Sequence, residues 1–203
     1  MRQIETRGAA NVLDCGIETR GDGKPDVITG YAAVFYDGSP ETEFELMPGV
    51  VERLHPGAFD QRSKPVVGLF NHSDDNVLGH EHNGTLRLSV DERGLKYEID
   101  INPDDPMAVG VAARVRRGDV AGSSFGFIPT DGGSEWSKED KLRVRNLRSV
   151  ETYDVGPVTF AAYAGTSVEM ARRSLDAAMT EEARLLAERD RDLVSRFRLA
   201  GIR

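Results

Sequence analysis

The chain has 203 residues, 39% of them hydrophobic and 30% charged, which is enough for one ordinary hydrophobic core and too short for a large multidomain assembly. Its 26 Lys and Arg against 34 Asp and Glu leave a net charge of −8, so it lacks the positive field on which non-specific nucleic-acid binding depends. A single cysteine, Cys15, excludes an intramolecular disulfide and a thiolate-rich zinc site and fits a reducing compartment.

Residues 1–8 carry Arg2, Glu5 and Arg7 with no apolar run behind them. Neither a signal peptide nor a membrane-spanning helix is expected there, and the protein is expected to stay where it is made. From residue 27 to 160 the sequence reads as short strands separated by turn residues. The first, 27–35, reads as buried on both faces and runs into Asp37-Gly38-Ser39-Pro40. Further strands are expected at 45–54, 65–72, 84–90, 95–101, 123–129, 142–148 and 150–160. Asp91-Glu92-Arg93-Gly94 joins two of them as a hairpin, because glycine tolerates the positive φ that closes such a turn.

One helix interrupts this run. Asp105 can cap it, Pro106 suits its first position, Ala108, Val109, Ala112, Ala113 and Val115 form its apolar stripe, and Gly118 can stop it. After Thr166 the composition turns to Ala, Glu, Arg, Leu and Asp. Met179, Ala183, Leu186, Leu193, Phe197 and Ala200 recur there at helical spacing, which predicts an amphipathic tail. The expected organisation is an N-terminal extension over 1–26, a mostly antiparallel β domain over 27–168 and a helical tail over 169–203.

Gly122-Ser123-Ser124-Phe125-Gly126 matches G-x-S-x-G, but the nucleophile elbow needs a strand before the serine and a helix after it. Here the order is reversed, and His55, His72, His80 and His82 all precede the serine. On a strand, however, Ser124 and Gly126 share one face while Phe125 and Phe127 anchor the other. Ser124 would then stand beside a residue without a side chain, leaving room for a substrate backbone. Among the histidines, His72 ends the apolar stretch Val66-Val67-Gly68-Leu69-Phe70-Asn71, where a rigid element could hold an imidazole. His55 precedes a turn, and His80-Glu81-His82 lacks a fourth ligand for a metal.

Five ordered blocks then carry a resemblance: Val51-Glu52-Arg53-Leu54-His55-Pro56-Gly57-Ala58-Phe59; Leu69-Phe70-Asn71-His72; Gly84-Thr85-Leu86-Arg87-Leu88 with Asp91 and Gly94-Leu95; Ser124-Phe125-Gly126-Phe127; and Asp154-Val155-Gly156-Pro157-Val158-Thr159 with Ala161-Ala162-Tyr163. Together, over about residues 28 to 168, they resemble the prohead (capsid maturation) serine proteases of tailed phages. That resemblance implies a fold similar to the herpesvirus assemblin proteases: mainly β with α, a closed antiparallel β-barrel ringed by short helices, here with the C-terminal amphipathic helix added. It also implies a serine nucleophile at Ser124 rather than Ser123, a histidine base at His72, and a third, orienting residue. Asp154 is the first choice for that residue and Glu151 the second; on a regular strand the two face opposite ways, so only one can reach His72. Gly156 stands where the family commonly has serine, and Ala161-Ala162 where proline-alanine is usual.

The function implied is a serine endopeptidase that cleaves scaffold or capsid-protein segments, and itself, during prohead maturation. It would work without a cofactor or metal, away from nucleic acid and membrane, inside the immature capsid in the host cytoplasm, and self-associate as a homodimer. An extended substrate would add as a strand beside Ser124. His72 and Ser124 would meet across neighbouring strands, and the oxyanion donors would come from the backbone N–H groups of Phe125 and Gly126 or from Arg143, Arg145 or Arg148. Two rival readings are a non-catalytic β module that binds the major capsid protein and a metallohydrolase using His80 and His82.

Overall fold

The computed structural model describes residues 4–8, 15–21, 24–161 and 165–199, with side chains of the last stretch described for 172–189. The chain divides into two compact units, Met1–Ser167 and Val168–Arg203. In chain order the strands are β1 (Glu5–Gly8), β2 (Cys15–Glu18), β3 (Val27–Val34), β4 (Phe44–Met47), β5 (Val50–Leu54), β6 (Val67–Leu69), β7 (Val77–His80), β8 (Leu86–Val90) and β9 (Gly94–Asp100). Helix α1 (Pro106–Arg117) follows, then β10 (Gly122–Pro129), β11 (Ser134–Glu139), β12 (Leu142–Leu147), β13 (Val150–Val158) and helix α2 (Gly165–Leu199). The architecture is mainly β with two α-helices.

Local chemistry explains the elements that form as expected. Helix α1 begins where the Asp105 carboxylate accepts the Met107 N–H at 2.8 Å, has Pro106 at its first turn, and ends at Gly118 with φ 86°. Its buried stripe is Ala108, Val111, Ala112 and Val115, the i, i+3, i+4, i+7 set. Val109 and Ala113, expected to be inside, are exposed, because helical spacing from Ala108 selects Val111, Ala112 and Val115 instead. The 91–94 hairpin is closed by Asp91, whose carboxylate accepts the N–H groups of Arg93 and Gly94 at 2.9 and 3.1 Å. The single strand expected at 45–54 is instead the hairpin β4–β5, broken at Pro48-Gly49 with Gly49 at φ 79°.

The strands form three sheets. One runs β1-β10-β13-β6-β7, one β11-β12-β5-β4 and one β2-β3-β9-β8. Most pairs are antiparallel, but β12–β5 and β13–β6 are parallel. The expected closed antiparallel barrel is therefore corrected. Among the described residues each sheet is open, ending on β1 and β7, on β11 and β4, or on β2 and β8, and closure would need those edges to pair in a continuous stagger. Nor do short helices ring the strands: in this unit α1 is the one described α-helix clear of the boundary, with two three-residue 3-10 turns at Pro40–Thr42 and Glu81–Asn83. Register breaks between Tyr31 and Ala33, Glu45 and Met47, Gly68 and Leu69, and Gly126 and Phe127 bend the strands around one core. Ile28, Leu54, Tyr97, Val111, Phe125 and Val155, from all three sheets and α1, meet in it with Phe59 from the turn after β5.

Two strands in the first 26 residues, β1 and β2, were given no element by sequence patterning. The sequence of β1, Glu-Thr-Arg-Gly, has no apolar residue, yet Glu5, Arg7 and Gly8 are buried. Two carboxylates and two guanidiniums make this possible. Arg7 donates to Glu52 on β5 at 2.6 Å and to Glu5 at 2.8 Å. Arg145 on β12 holds Glu5 in a two-pronged grip at 2.6 and 2.9 Å and reaches Glu52 at 3.0 Å. All four are at most 4% exposed, and their formal charges cancel. The Arg7 guanidinium also lies over the rings of Phe44 and Phe127. Burial alone would lower the Arg145 pKa, but hydrogen bonding to Glu5 and the nearby Glu52 charge reverse the sign and raise it. The quartet joins the five-stranded sheet to the β12–β5 pair.

In the second unit, Met179, Leu185 and Leu186 of α2 are exposed, and Arg184 bonds Glu181 and Glu188 along its surface. The side chains of Leu193 and Phe197, and Ala200 altogether, lie outside the described residues.

Removing one member of the quartet leaves an uncompensated buried charge. Glu52→Gln is expected to destabilise the fold by about 3–5 kcal/mol in chemical denaturation; a change below about 1 kcal/mol would show that the quartet contributes little. A second expectation concerns acid. Hydrogen bonding from Arg87 holds the Asp100 carboxyl below its ordinary value, against a smaller opposing effect of burial. The stability from this pair is complete above the unfolded carboxylate pKa of about 4 and is lost as pH falls through the lower folded value. Asp100→Asn should therefore flatten the acid limb of a stability–pH curve while leaving its shape near neutrality unchanged.

Candidate active site

Strand β10 sorts its side chains as the alternation demands. Phe125 and Phe127 stack with centroids 4.7 Å apart on the core side. Ser123 shares that side, fully buried, with its hydroxyl 2.9 Å from the Tyr97 hydroxyl. Ser124 and Gly126 face the other way. The β10–β13 ladder pairs Ser124 with Gly156 and Gly126 with Asp154, so Ser124 and Asp154 share a face, offset diagonally by two residues. A Cβ on Gly126 would run into the Asp154 carboxylate and the Ile4 side chain. The space beside Gly126, expected to admit a substrate backbone, is thus filled by that carboxylate.

His72 arrives from farther away than expected. In the sheet order β13 lies between β10 and β6, so the histidine does not reach Ser124 from a neighbouring strand. Strand β6 stops at Leu69, three residues short of His72. A tight turn follows, closed by Phe70 N–H to Asn76 O at 3.0 Å, Ser73 N–H to Phe70 O at 3.2 Å and Asn76 N–H to Ser73 O at 2.9 Å. Within it Asn71 and His72 both adopt φ 55°, the left-handed region. Such a conformation costs a non-glycine residue on the order of 1 kcal/mol or more, and asparagine tolerates it best. The turn swings the imidazole back over β13. There Nδ1 lies 2.5 Å from Asp154 Oδ1 and Nε2 lies 2.6 Å from Ser124 Oγ.

The structure therefore brings His72, Ser124 and Asp154 together and leaves Glu151 out. Glu151 accepts from the Ser63 N–H and hydroxyl at 3.1 and 2.8 Å. Burial pushes its carboxyl up, but the Ser63 hydrogen bonds together with the Lys64 N–H and charge outweigh this and lower it. The His72 side chain is 23% exposed and that of Asp154 11%, while Ser124 is buried, so the row meets solvent at the imidazole in its middle and both ends are sheltered.

A further acceptor competes for the serine proton. The Arg7 carbonyl on β1 lies 2.8 Å from Ser124 Oγ. With a neutral imidazole protonated on Nδ1, the Ser124 hydroxyl donates to Nε2. With an imidazolium, Nε2–H donates to Oγ, and the hydroxyl proton turns to the Arg7 carbonyl. The two states differ by one proton, which the imidazole takes from solvent; transfer from Oγ to Nε2 starts from the first, in which the hydroxyl proton points at Nε2 and not at the Arg7 carbonyl.

The other named residues lie elsewhere. His55 Nε2 is 2.7 Å from Asn146 Oδ1, and His80 Nδ1 accepts the His82 N–H at 3.0 Å. Among the described residues no group of three or more His, Cys, Asp or Glu side chains converges as a metal site would require. Arg145 belongs to the buried quartet, and Arg148 pairs with Glu135 at 3.0 Å. Strand β10 is paired on both sides, with β1 and with β13, so no edge is free for the substrate strand expected beside Ser124. Sequence reasoning passed over the Arg7 carbonyl, Asn71 and Thr159; the one available signal was asparagine directly before the histidine.

The model of the caudovirus prohead serine protease family matches residues 14–181. A curated relative, the prohead protease of Enterobacteria phage HK97, is 28% identical over 111 residues, covering 55% of this chain and 46% of that protein. The chain thus spans about half the length of this relative. No solved structure matches significantly.

Since glycine at 126 leaves room for the Asp154 carboxylate, Gly126→Ala is expected to push that carboxylate off His72. Labelling of Ser124 by a fluorophosphonate should slow by at least about tenfold, with a stability cost of about 1–3 kcal/mol from overpacking. Labelling at the unaltered rate would overturn the assignment of that space.

Proposed function

The chain belongs to the caudovirus prohead serine protease family, and from that premise we propose that it is a serine endopeptidase that cuts scaffold or capsid-protein segments, and itself, as the immature phage shell matures. Ser124 is the nucleophile, His72 the general base and Asp154 the group that orients the base. The observation that carries this reading is the imidazole held between a carboxylate at 2.5 Å and a hydroxyl at 2.6 Å.

A serine hydroxyl attacks a peptide carbonyl only poorly until its proton can leave. His72 Nε2 takes that proton during attack, a contribution of about 10²–10⁴-fold. Asp154 holds the proton on Nδ1, so that Nε2 is the free acceptor, and stabilises the imidazolium that forms. The imidazolium then returns its proton to the leaving amine, and a water repeats the sequence on the acyl-enzyme. Because both edges of β10 are occupied, the peptide approaches Ser124 across the sheet face on the side of the half-buried His72.

The same reading assigns the protease domain to residues 27–168, with 1–26 as an extension whose strands β1 and β2 join its sheets, and gives residues 169–203 the part of a tail that directs the protein into the assembling shell. It places the protein in the immature capsid in the host cytoplasm, acting as a homodimer, with a fold related to the herpesvirus assemblins. No helix among the described residues is long and apolar enough to cross a membrane.

Co-expression with the cognate capsid protein, followed by mass spectrometry, tests the proposal. Cleavage should appear with the wild-type chain and vanish with Ser124→Ala. It should fall about 10²–10⁴-fold with His72→Ala and by up to about 10⁴-fold with Asp154→Asn, which no longer enforces the tautomer. Each variant should keep its cooperative unfolding. Cleavage that survives Ser124→Ala, or a chain that binds capsid protein without cutting it, would overturn the assignment.

A further inference from the structure

The turn that carries His72 joins β6 to β7 and is tied to the end of β13 through one neighbouring residue. Beyond the two-residue parallel pairing of Asp154 with Val67 and Val155 with Gly68, the β6–β13 ladder ends, and nothing in that ladder restrains the chain from residue 70 onward. Asn71 takes over. Its backbone N–H donates to the Pro157 carbonyl at 3.1 Å. Its side-chain oxygen accepts the Thr159 N–H at 2.8 Å, and its side-chain NH₂ donates to the Thr159 hydroxyl at 3.2 Å. These three bonds tie the turn to the end of β13, the strand that also bears Asp154 and pairs with the Ser124 strand.

We infer that Asn71 is a positioning residue, which clamps the left-handed turn to β13 and so fixes the His72 imidazole between Asp154 and Ser124. This rests on the catalytic roles proposed above and names what holds the base in place. Asparagine serves two needs at once. Its backbone accepts φ 55° more readily than other non-glycine residues do, and its amide supplies both an acceptor and a donor to Thr159. His72 is held at the same φ, and without the clamp the turn can relax and the imidazole swings away from its two partners. Asn71 itself is exposed, and its loss leaves no buried polar group unpaired, so the core does not depend on it.

Two substitutions separate positioning from mere stability. Asn71→Gly keeps the left-handed backbone and its N–H bond to the Pro157 carbonyl but deletes both side-chain bonds to Thr159. Asn71→Asp keeps an acceptor for the Thr159 N–H, and the Thr159 hydroxyl can rotate to donate to its second oxygen. Three measurements are read on the full chain: the low-field proton NMR resonance of the His72 Nδ1–H, the rate of fluorophosphonate labelling at Ser124, and the thermal midpoint. In Asn71→Gly the resonance should be lost and labelling should slow by at least about tenfold, with the midpoint within a few degrees of wild type. Asn71→Asp should restore both. Wild-type resonance and labelling in Asn71→Gly would overturn the inference, and so would a failure of Asn71→Asp to restore them. If the wild-type chain is not labelled at all, the catalytic proposal fails, while the resonance still decides what Asn71 does.

Discussion

The ladder between β10 and β13 is the constraint on which the site depends. Its register sets Ser124 opposite Gly156 and Asp154 opposite Gly126, which puts a hydroxyl and a carboxylate on one face at a diagonal spacing that one imidazole can bridge. A slip of one residue would turn either group to the opposite face. The ladder is itself fixed from both sides: Phe125 and Phe127 hold β10 in the core, and the end of β13 receives the Asn71 turn. The histidine is thus carried on the turn after β6, a strand that does not pair with β10, and it reaches its partners because that turn folds back over the strand between them.

The outer side of β10 is held by different physics. Strand β1 has no apolar side chain to bury, and its place depends on Glu5, Arg7, Glu52 and Arg145 neutralising one another out of water. Each charge alone would be prohibitively costly to bury; as a quartet with nearly every donor and acceptor engaged, the cost is offset. In return the Arg7 carbonyl is set beside the Ser124 hydroxyl. The electrostatic arrangement on the core side therefore fixes a hydrogen-bond acceptor on the reactive side of the same sheet.

What could be read in advance follows from how local each determinant is. Helix α1 was legible because its cap, its proline and its terminal glycine lie within fourteen residues of one another, and the 91–94 hairpin because Asp91 closes its own turn. The mainly β class with helices followed from the same kind of signal. Strand β1 was not legible, since its burial is decided by Glu52 and Arg145, far along the chain. Strand β11 was missed because an edge strand reading Ser-Glu-Trp-Ser-Lys-Glu has no apolar alternation to betray it. The split of 45–54 did have a signal, the Pro48-Gly49 dipeptide. The open sheets were beyond reach, because closure is set by which edges pair, and pairing between distant strands leaves no mark in a local pattern. For the site, Ser124 and His72 could be singled out by their strand context, whereas Asp154 came only with the resemblance. The left-handed turn that brings the imidazole over β13 was not foreseen.

The order of the parts along the chain has a bearing on biosynthesis. His72 leaves the ribosome first, and Asp154 follows 82 residues later, an interval of roughly ten seconds at ordinary elongation rates. Strand β1 emerges before either, yet must wait for β10 before it has anything to pair with. No nascent fragment shorter than about the first 154 residues holds all three groups, so the complete hydroxyl–imidazole–carboxylate row arises only when translation of the β unit is almost finished, and truncated chains are born without it.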